Sequence, residues 1–243
     1  MELVRNCSHF GGTITAYERD ARRIPTGVVK VSFDPEGIRA LRSEEAGLCW
    51  YAERRGLNAR SAVLDIVDRG RSMRLDLAYH SGKCGDLLQP LQKNYLRILH
   101  ALDHHEEIFG GDTSRYSHGD YSIENIVFEG NAVVWVLDWE HFTASLPAEF
   151  DLLSCVLEPC YLRYAKRGAL AREEIDAAAR LIRHTAELVP LPGSCLERPA
   201  SYLRAISAEH RGIFGPQAEK YPFVGPAEDI VRALDDYLGT PAI

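Results

Sequence analysis

The chain has 243 residues, 46% hydrophobic and 26% charged, a composition that reads as an ordinary globular protein rather than a disordered one and suffices for a sizeable core. Its net charge of −7 argues against a nucleic-acid-binding surface, which would be basic. No apolar run approaches the roughly 18 residues of a membrane span, and MELVRNCSHF lacks the apolar core of a secretory signal, so a cytoplasmic protein is expected. Cysteines at 7, 49, 84, 155, 160 and 195 make no C-x-x-C pair and read as reduced thiols.

Taken in chain order, GGTITAYERD and GVVKVSF are rich in β-branched and aromatic residues and predict strands. From Pro35 to Arg55 the pattern turns helical, with Ile38, Leu41, Leu48 and Ala52 on one stripe and Gly56 as a stop. SAVLDIVD and SMRLDLAYH predict two more strands. The character changes after HSGKCGDLL, which divides the chain into residues 1–82 and 83–243. LQKNYLRILHAL predicts an amphipathic helix, and DHHEEIFGGDTSRY a loop in which DHHEE forms a solvated surface, because adjacent side chains splay apart.

Residues 124–128 and 132–137 predict a hairpin around a type II′ turn at Gly130-Asn131. Beyond residue 150 helices dominate: Ile175, Ala178, Ile182, Thr185 and Val189 share one face, Tyr202, Ile206 and Ile213 another, and Pro226 and Gly239 bracket a last helix. The order is α+β, with a small β-rich N-terminal lobe and a larger, mainly helical C-terminal lobe.

The hairpin carries polar groups at its open end. A two-residue turn sets Asn125 opposite Val136, with Asp138 its diagonal neighbour on the same face, roughly 7–8 Å away at the backbone. An amide oxygen and a carboxylate so placed can share one Mg²⁺. Asp120, five residues before Asn125, can approach the same point and accept a proton from an incoming hydroxyl.

His118, Gly119, Asp120 and Asn125 match H-G-D-x-x-x-x-N, and Asp138 lies in LDWE. Over roughly residues 90–155 the chain thus resembles the aminoglycoside phosphotransferase and choline kinase family of small-molecule kinases. SLPAEFDLL loosely echoes a later family segment, which would make Asp151 a buried carboxylate bracing the catalytic loop, and LHAL resembles the helix end before that loop. The resemblance implies a two-lobed protein-kinase-like fold and an ATP- and Mg²⁺-dependent transferase. Asp120 would be the base, Asn125 and Asp138 the metal ligands, and His118 a loop brace. Glu140 would bind a second metal or cap the loop.

Lys30 in VVKVS sits where the family has its phosphate-binding lysine. Glu45 is its expected partner, since it falls between Leu41 and Leu48 on the apolar stripe, where a carboxylate is costly unless paired; Glu44 is the more exposed choice. Gly11 and Gly12 would form the turn over the phosphates, and adenine would lie near residues 77–80.

Only twelve residues separate Asp138 from Asp151, no A-P-E follows, and His-Gly-Asp replaces His-Arg-Asp. The expected acceptor is therefore a small-molecule hydroxyl on an aminoglycoside, sugar or amino alcohol, rather than a protein. The alternative is an inactive kinase-fold protein that binds a nucleotide or sugar; retention of Asp120, Asn125 and Asp138 favours the enzyme. Glu158, Glu209, Asp235 and Asp236 read as helix-surface acids, with contact to a cationic acceptor as the alternative.

Overall fold

The computed structural model describes residues 2–7, 13–57, 62–67, 72–78, 80–110, 116–214, 223 and 227–239. The chain is α+β and divides into two compact units. The described part of the first comprises residues up to Ser81 together with Asp138–Phe142. The second begins at Gly82, where the sequence reading set the division after residue 82, and it does not include the DWEHF segment that the reading gave to it.

In the first unit, β1 (Glu2–Cys7), β2 (Thr13–Arg19) and β3 (Pro25–Ser32) form an antiparallel meander, α1 (Pro35–Arg54) follows, and β4 (Ala62–Val67) and β5 (Ser72–Ala78) complete the sheet. Strand order is β1-β2-β3-β5-β4, antiparallel throughout, so β5 lies beside β3 and holds Leu75 opposite Lys30. The sequence reading marked no strand at β1.

Helix α1 starts where Asp34 accepts the N–H groups of Glu36 and Gly37 at 3.1 and 2.9 Å, with Pro35 in the first turn, where a missing N–H costs nothing. Leu41 packs on Met73 and Leu75 of β5, with Ile38 and Leu77 at the edge of this cluster.

In the second unit, β6 (Lys83–Cys84), β7 (Ile126–Glu129) and β8 (Ala132–Val136) make a small antiparallel sheet. The helices are α2 (Leu91–Phe109), α3 (Ala148–Arg167), α4 (Arg172–Leu188), α5 (Gly193–Glu197), α6 (Pro199–Glu209) and α7 (Glu228–Leu238). Helix α2 packs against α3 and α4, and α3 against α6 and α7.

Two expectations change. Helix α2 runs on to Phe109 through the predicted loop, because Ala101, Leu102, His105, Ile108 and Phe109 continue its buried face. In DHHEE, Asp103 and Glu107 are exposed as expected, but His104 and His105 are buried, so the solvated reading fails for the histidines. Among the described residues no helix is long and apolar enough to cross a membrane.

Candidate functional site

Strand β3 places the Lys30 ammonium between two carboxylates. Its Nζ donates to Glu44 Oε2 at 2.7 Å and to Asp138 Oδ1 at 2.6 Å, and only 12% of the side chain is exposed. The partner on α1 is therefore Glu44 and not Glu45. The reason is helical phase. The buried face is Gly37, Ala40, Leu41, Glu44, Gly47, Leu48, Tyr51 and Ala52, with Glu44 in its middle. Glu45 lies about 100° further round. The stripe through Ile38, Leu41, Leu48 and Ala52 leaves out Gly37, Ala40, Gly47 and Tyr51, which move the centre of the buried face to Glu44.

Burial pushes the Glu44 carboxyl up to about 7; the Lys30 ammonium opposes the rise and Asp138 adds to it. For Lys30, burial pulls the other way, but Asp138, Glu44 and Glu140 outweigh it and hold the amine protonated. One firmly charged ammonium is thus shared by more than one negative charge.

Asp138 takes a left-handed backbone conformation with φ 61, which Asp tolerates better than most residues. The next residue anchors it: Trp139 is fully buried, 5.1 Å from the Tyr51 ring and 5.7 Å from Phe142. A Cβ on Gly47 would stand 2.8 Å from Trp139, so α1 needs glycine there. Ser43 Oγ donates to Phe142 O at 3.0 Å and ties down the far end of the segment.

In the second unit, the loop carrying Asp120 is organised around Asp151, which has no exposed surface and lies in the first turn of α3. Asp151 Oδ2 accepts from Ser117 Oγ at 2.7 Å, His118 N at 2.6 Å and His105 Nε2 at 3.2 Å, and its Oδ1 accepts from Gly119 N at 2.9 Å. Burial alone would raise this carboxyl. The hydrogen bond and field of His105, with His118 and Ser117, hold it below its ordinary value of 3.8. Gly119 turns its N–H to Asp151 at φ 82, which accounts for the glycine of His-Gly-Asp.

His118 is a brace. Its Nδ1 accepts from Asp120 N at 3.3 Å, which leaves the ring proton on Nε2 to donate to Leu137 O at 2.8 Å. Asn125 Nδ2 donates to the backbone O and to Oδ2 of Asp120, both at 3.0 Å, and so orients that carboxylate.

The hairpin departs from the expected register. Near the turn Glu129 faces Ala132, as a two-residue loop demands, and Gly130 takes φ 64. A bulge between Val127 and Phe128 then moves every later pair by one, so Val136 faces Ile126 rather than Asn125. Asn125 closes a single 3-10 turn, Ile123–Asn125, and its C=O accepts from Leu137 N at 2.7 Å.

His105 is a residue the sequence reading does not single out, and Glu158 differs from the surface acid it reads as. His105 is buried with its ring stacked on Phe109 at 4.3 Å and edge-on to Tyr121 at 5.0 Å. The Ile98, Leu102, His105, Phe109 spacing was the available signal. Glu158 is no plain surface acid: burial pushes its carboxyl up, the Ser122 hydroxyl opposes this and Glu124 adds to it. Gly11, Gly12 and Tyr79 lie outside the described residues.

The two units each carry oxygen donors of the hard kind that divalent cations such as Mg²⁺ take. Asp138 offers carboxylate oxygens, and Asn125 keeps its amide oxygen available while its nitrogen is engaged by Asp120. Among the described residues no group of three His, Cys, Asp or Glu side chains could hold a metal. Neither family models nor curated proteins return a match to the chain.

Proposed function

We propose that the chain is a phosphotransferase of protein-kinase-like fold that moves the γ-phosphate of ATP to a hydroxyl of a small molecule such as an aminoglycoside, sugar or amino alcohol. The observation that carries this reading is Lys30 Nζ seated between Glu44 and Asp138. A third-strand lysine paired to a glutamate on the following helix, beside a metal-binding aspartate, is the phosphate-handling set of kinases. The braced His118-Gly119-Asp120 loop supports the same reading, since an acceptor's base must be held rigidly.

In this mechanism Lys30, steadied by Glu44, contacts the phosphates. Asn125 and Asp138 would hold Mg²⁺, which when bound would supply positive charge against the phosphate oxygens. Asp120, oriented by Asn125, accepts the proton of the attacking hydroxyl. The site's contribution is positioning and charge neutralisation rather than covalent chemistry.

The test is transfer of labelled γ-phosphate from Mg-ATP to pooled aminoglycosides, sugars and amino alcohols, read by mass spectrometry beside Asp120→Asn. A phosphorylated product that the variant does not make is expected. Turnover by the variant at the wild-type rate would remove Asp120 as the base. No product and no stabilisation by Mg-ATP would sink the reading.

A further inference from the structure

We infer that His105 and Tyr121 are positioning residues that clamp Asp120 from both sides onto one turn of α2, and that the clamp serves turnover rather than nucleotide binding. The effect on turnover rests on the reading of Asp120 as the base; the clamp rests on geometry alone.

The two flanks of Asp120 are tied to neighbouring points on α2. Ahead of it, the N–H groups of His118 and Gly119 end on Asp151, whose Oδ2 also accepts from His105 Nε2 at 3.2 Å. Behind it, Tyr121 Oη donates to Ala101 O at 2.9 Å. Positions 101 and 105 are an i, i+4 pair and share one face of the helix. His105 is 1% exposed and Tyr121 not at all, so neither link is diluted by solvent.

The rings join the two links. His105 stands edge-on to Tyr121 at 5.0 Å, and His118 stands edge-on to the same ring at 5.9 Å. Stacking on Phe109 at 4.3 Å fixes the plane of the His105 ring. That plane aims Nε2 at Asp151 and leaves Nδ1 without a hydrogen-bond partner. Phenylalanine would pack here without stranding a buried nitrogen, which is costly. What His105 supplies is therefore its donor.

With residues 119 and 121 both held, the backbone at Asp120 has little slack, and Asn125 then sets the carboxylate at 3.0 Å. A base so placed is sensitive to its supports, since a displacement of about 1 Å can cost on the order of 10²-fold in rate.

The experiment compares the full-length wild type with His105→Phe, which keeps the stack and removes the donor, His105→Gln, which restores an N–H, and Tyr121→Phe, which removes only a hydroxyl. Hydrogen exchange over residues 117–122, read by mass spectrometry, reports how firmly the loop is held. Steady-state kinetics report turnover. Both phenylalanine variants are expected to speed exchange in this stretch and to lower kcat, each by about tenfold, with the KM for ATP within about twofold of wild type. The glutamine variant is expected to recover most of both losses.

Unchanged exchange in Tyr121→Phe would overturn the clamp, and that variant carries both readouts if His105→Phe does not fold. A glutamine variant no better than the phenylalanine one would overturn the donor role of His105. A rise in the KM for ATP as large as the fall in kcat would overturn the assignment to turnover. A wild-type chain that transfers no phosphate would end the phosphotransferase reading, while exchange would still decide the clamp.

Discussion

Lys30 and Asp151 are both charged, both withdrawn from solvent and both surrounded by polar partners, yet the partners differ in kind. Lys30 is held by carboxylates, Glu44 and Asp138, that carry more negative charge than it can neutralise. Asp151 is held by dipoles and an imidazole: two backbone N–H groups, the Ser117 hydroxyl and His105. An ion-paired side chain on a flexible stem can exchange one partner for another. A carboxylate bonded to backbone amides cannot move without stranding them. The first arrangement suits a place where a ligand must intrude; the second suits a loop that has to stay put.

The difference can be broken or sharpened by mutation. The largest effect is expected at the residue the fixed loop presents. Asp120→Asn should lower turnover by about 10²–10⁴-fold, the usual contribution of a general base, while a thermal-shift titration shows Mg-ATP stabilising the variant as it does wild type. Asp151→Ala strands its donors and should cost about 3–5 kcal/mol, the scale of an uncompensated buried charge network, measured by urea unfolding.

The exchangeable side should respond less. Glu44→Gln weakens one charged hydrogen bond, worth about 1.5–3 kcal/mol, so the KM for ATP should rise about ten- to a hundredfold. Glu45→Gln should leave it within about twofold, and equal effects would remove Glu44 as the partner.

The smallest effect is the pH dependence. Asp151 has a folded-state pKa depressed below its ordinary value of 3.8. Between the two values the unfolded chain binds the extra proton, so the stability from Asp151 is present above 3.8 and is lost as pH falls through the lower folded value. Urea midpoints measured from pH 5 downward should fall more steeply for wild type than for Asp151→Asn.

The sequence is legible where pattern and spacing coincide: Lys30 falls on a strand, β3, and Asp151, marked by a looser echo, braces the His118–Gly119 backbone. The misses have physical causes. Glu44 lies off the expected stripe because Gly37, Ala40, Gly47 and Tyr51 shift the buried face of α1 away from the line through Ile38, Leu41, Leu48 and Ala52. His105 was missed because a polar side chain inside a charged run looks solvated unless the helix is followed past Leu102. The bulge at Val127/Phe128 leaves no signature in residues that are all apolar, so the hairpin register was right at the turn and off by one at its open end.

Trp139 gives the chain a timetable. The first unit has its sheet and α1 by Ser81, but the segment that packs Trp139 on Gly47 and Tyr51 arrives only after everything from Gly82 to Leu137 has been made. On a translating ribosome the N-terminal unit therefore emerges with an uncovered aromatic surface and with Lys30 lacking one of its two carboxylates. It must wait for residues 138–142 to thread back. A nascent chain stalled at Ser81 should be cut by protease far more readily than one stalled well past Phe142, because the unit closes on a part of itself synthesised later.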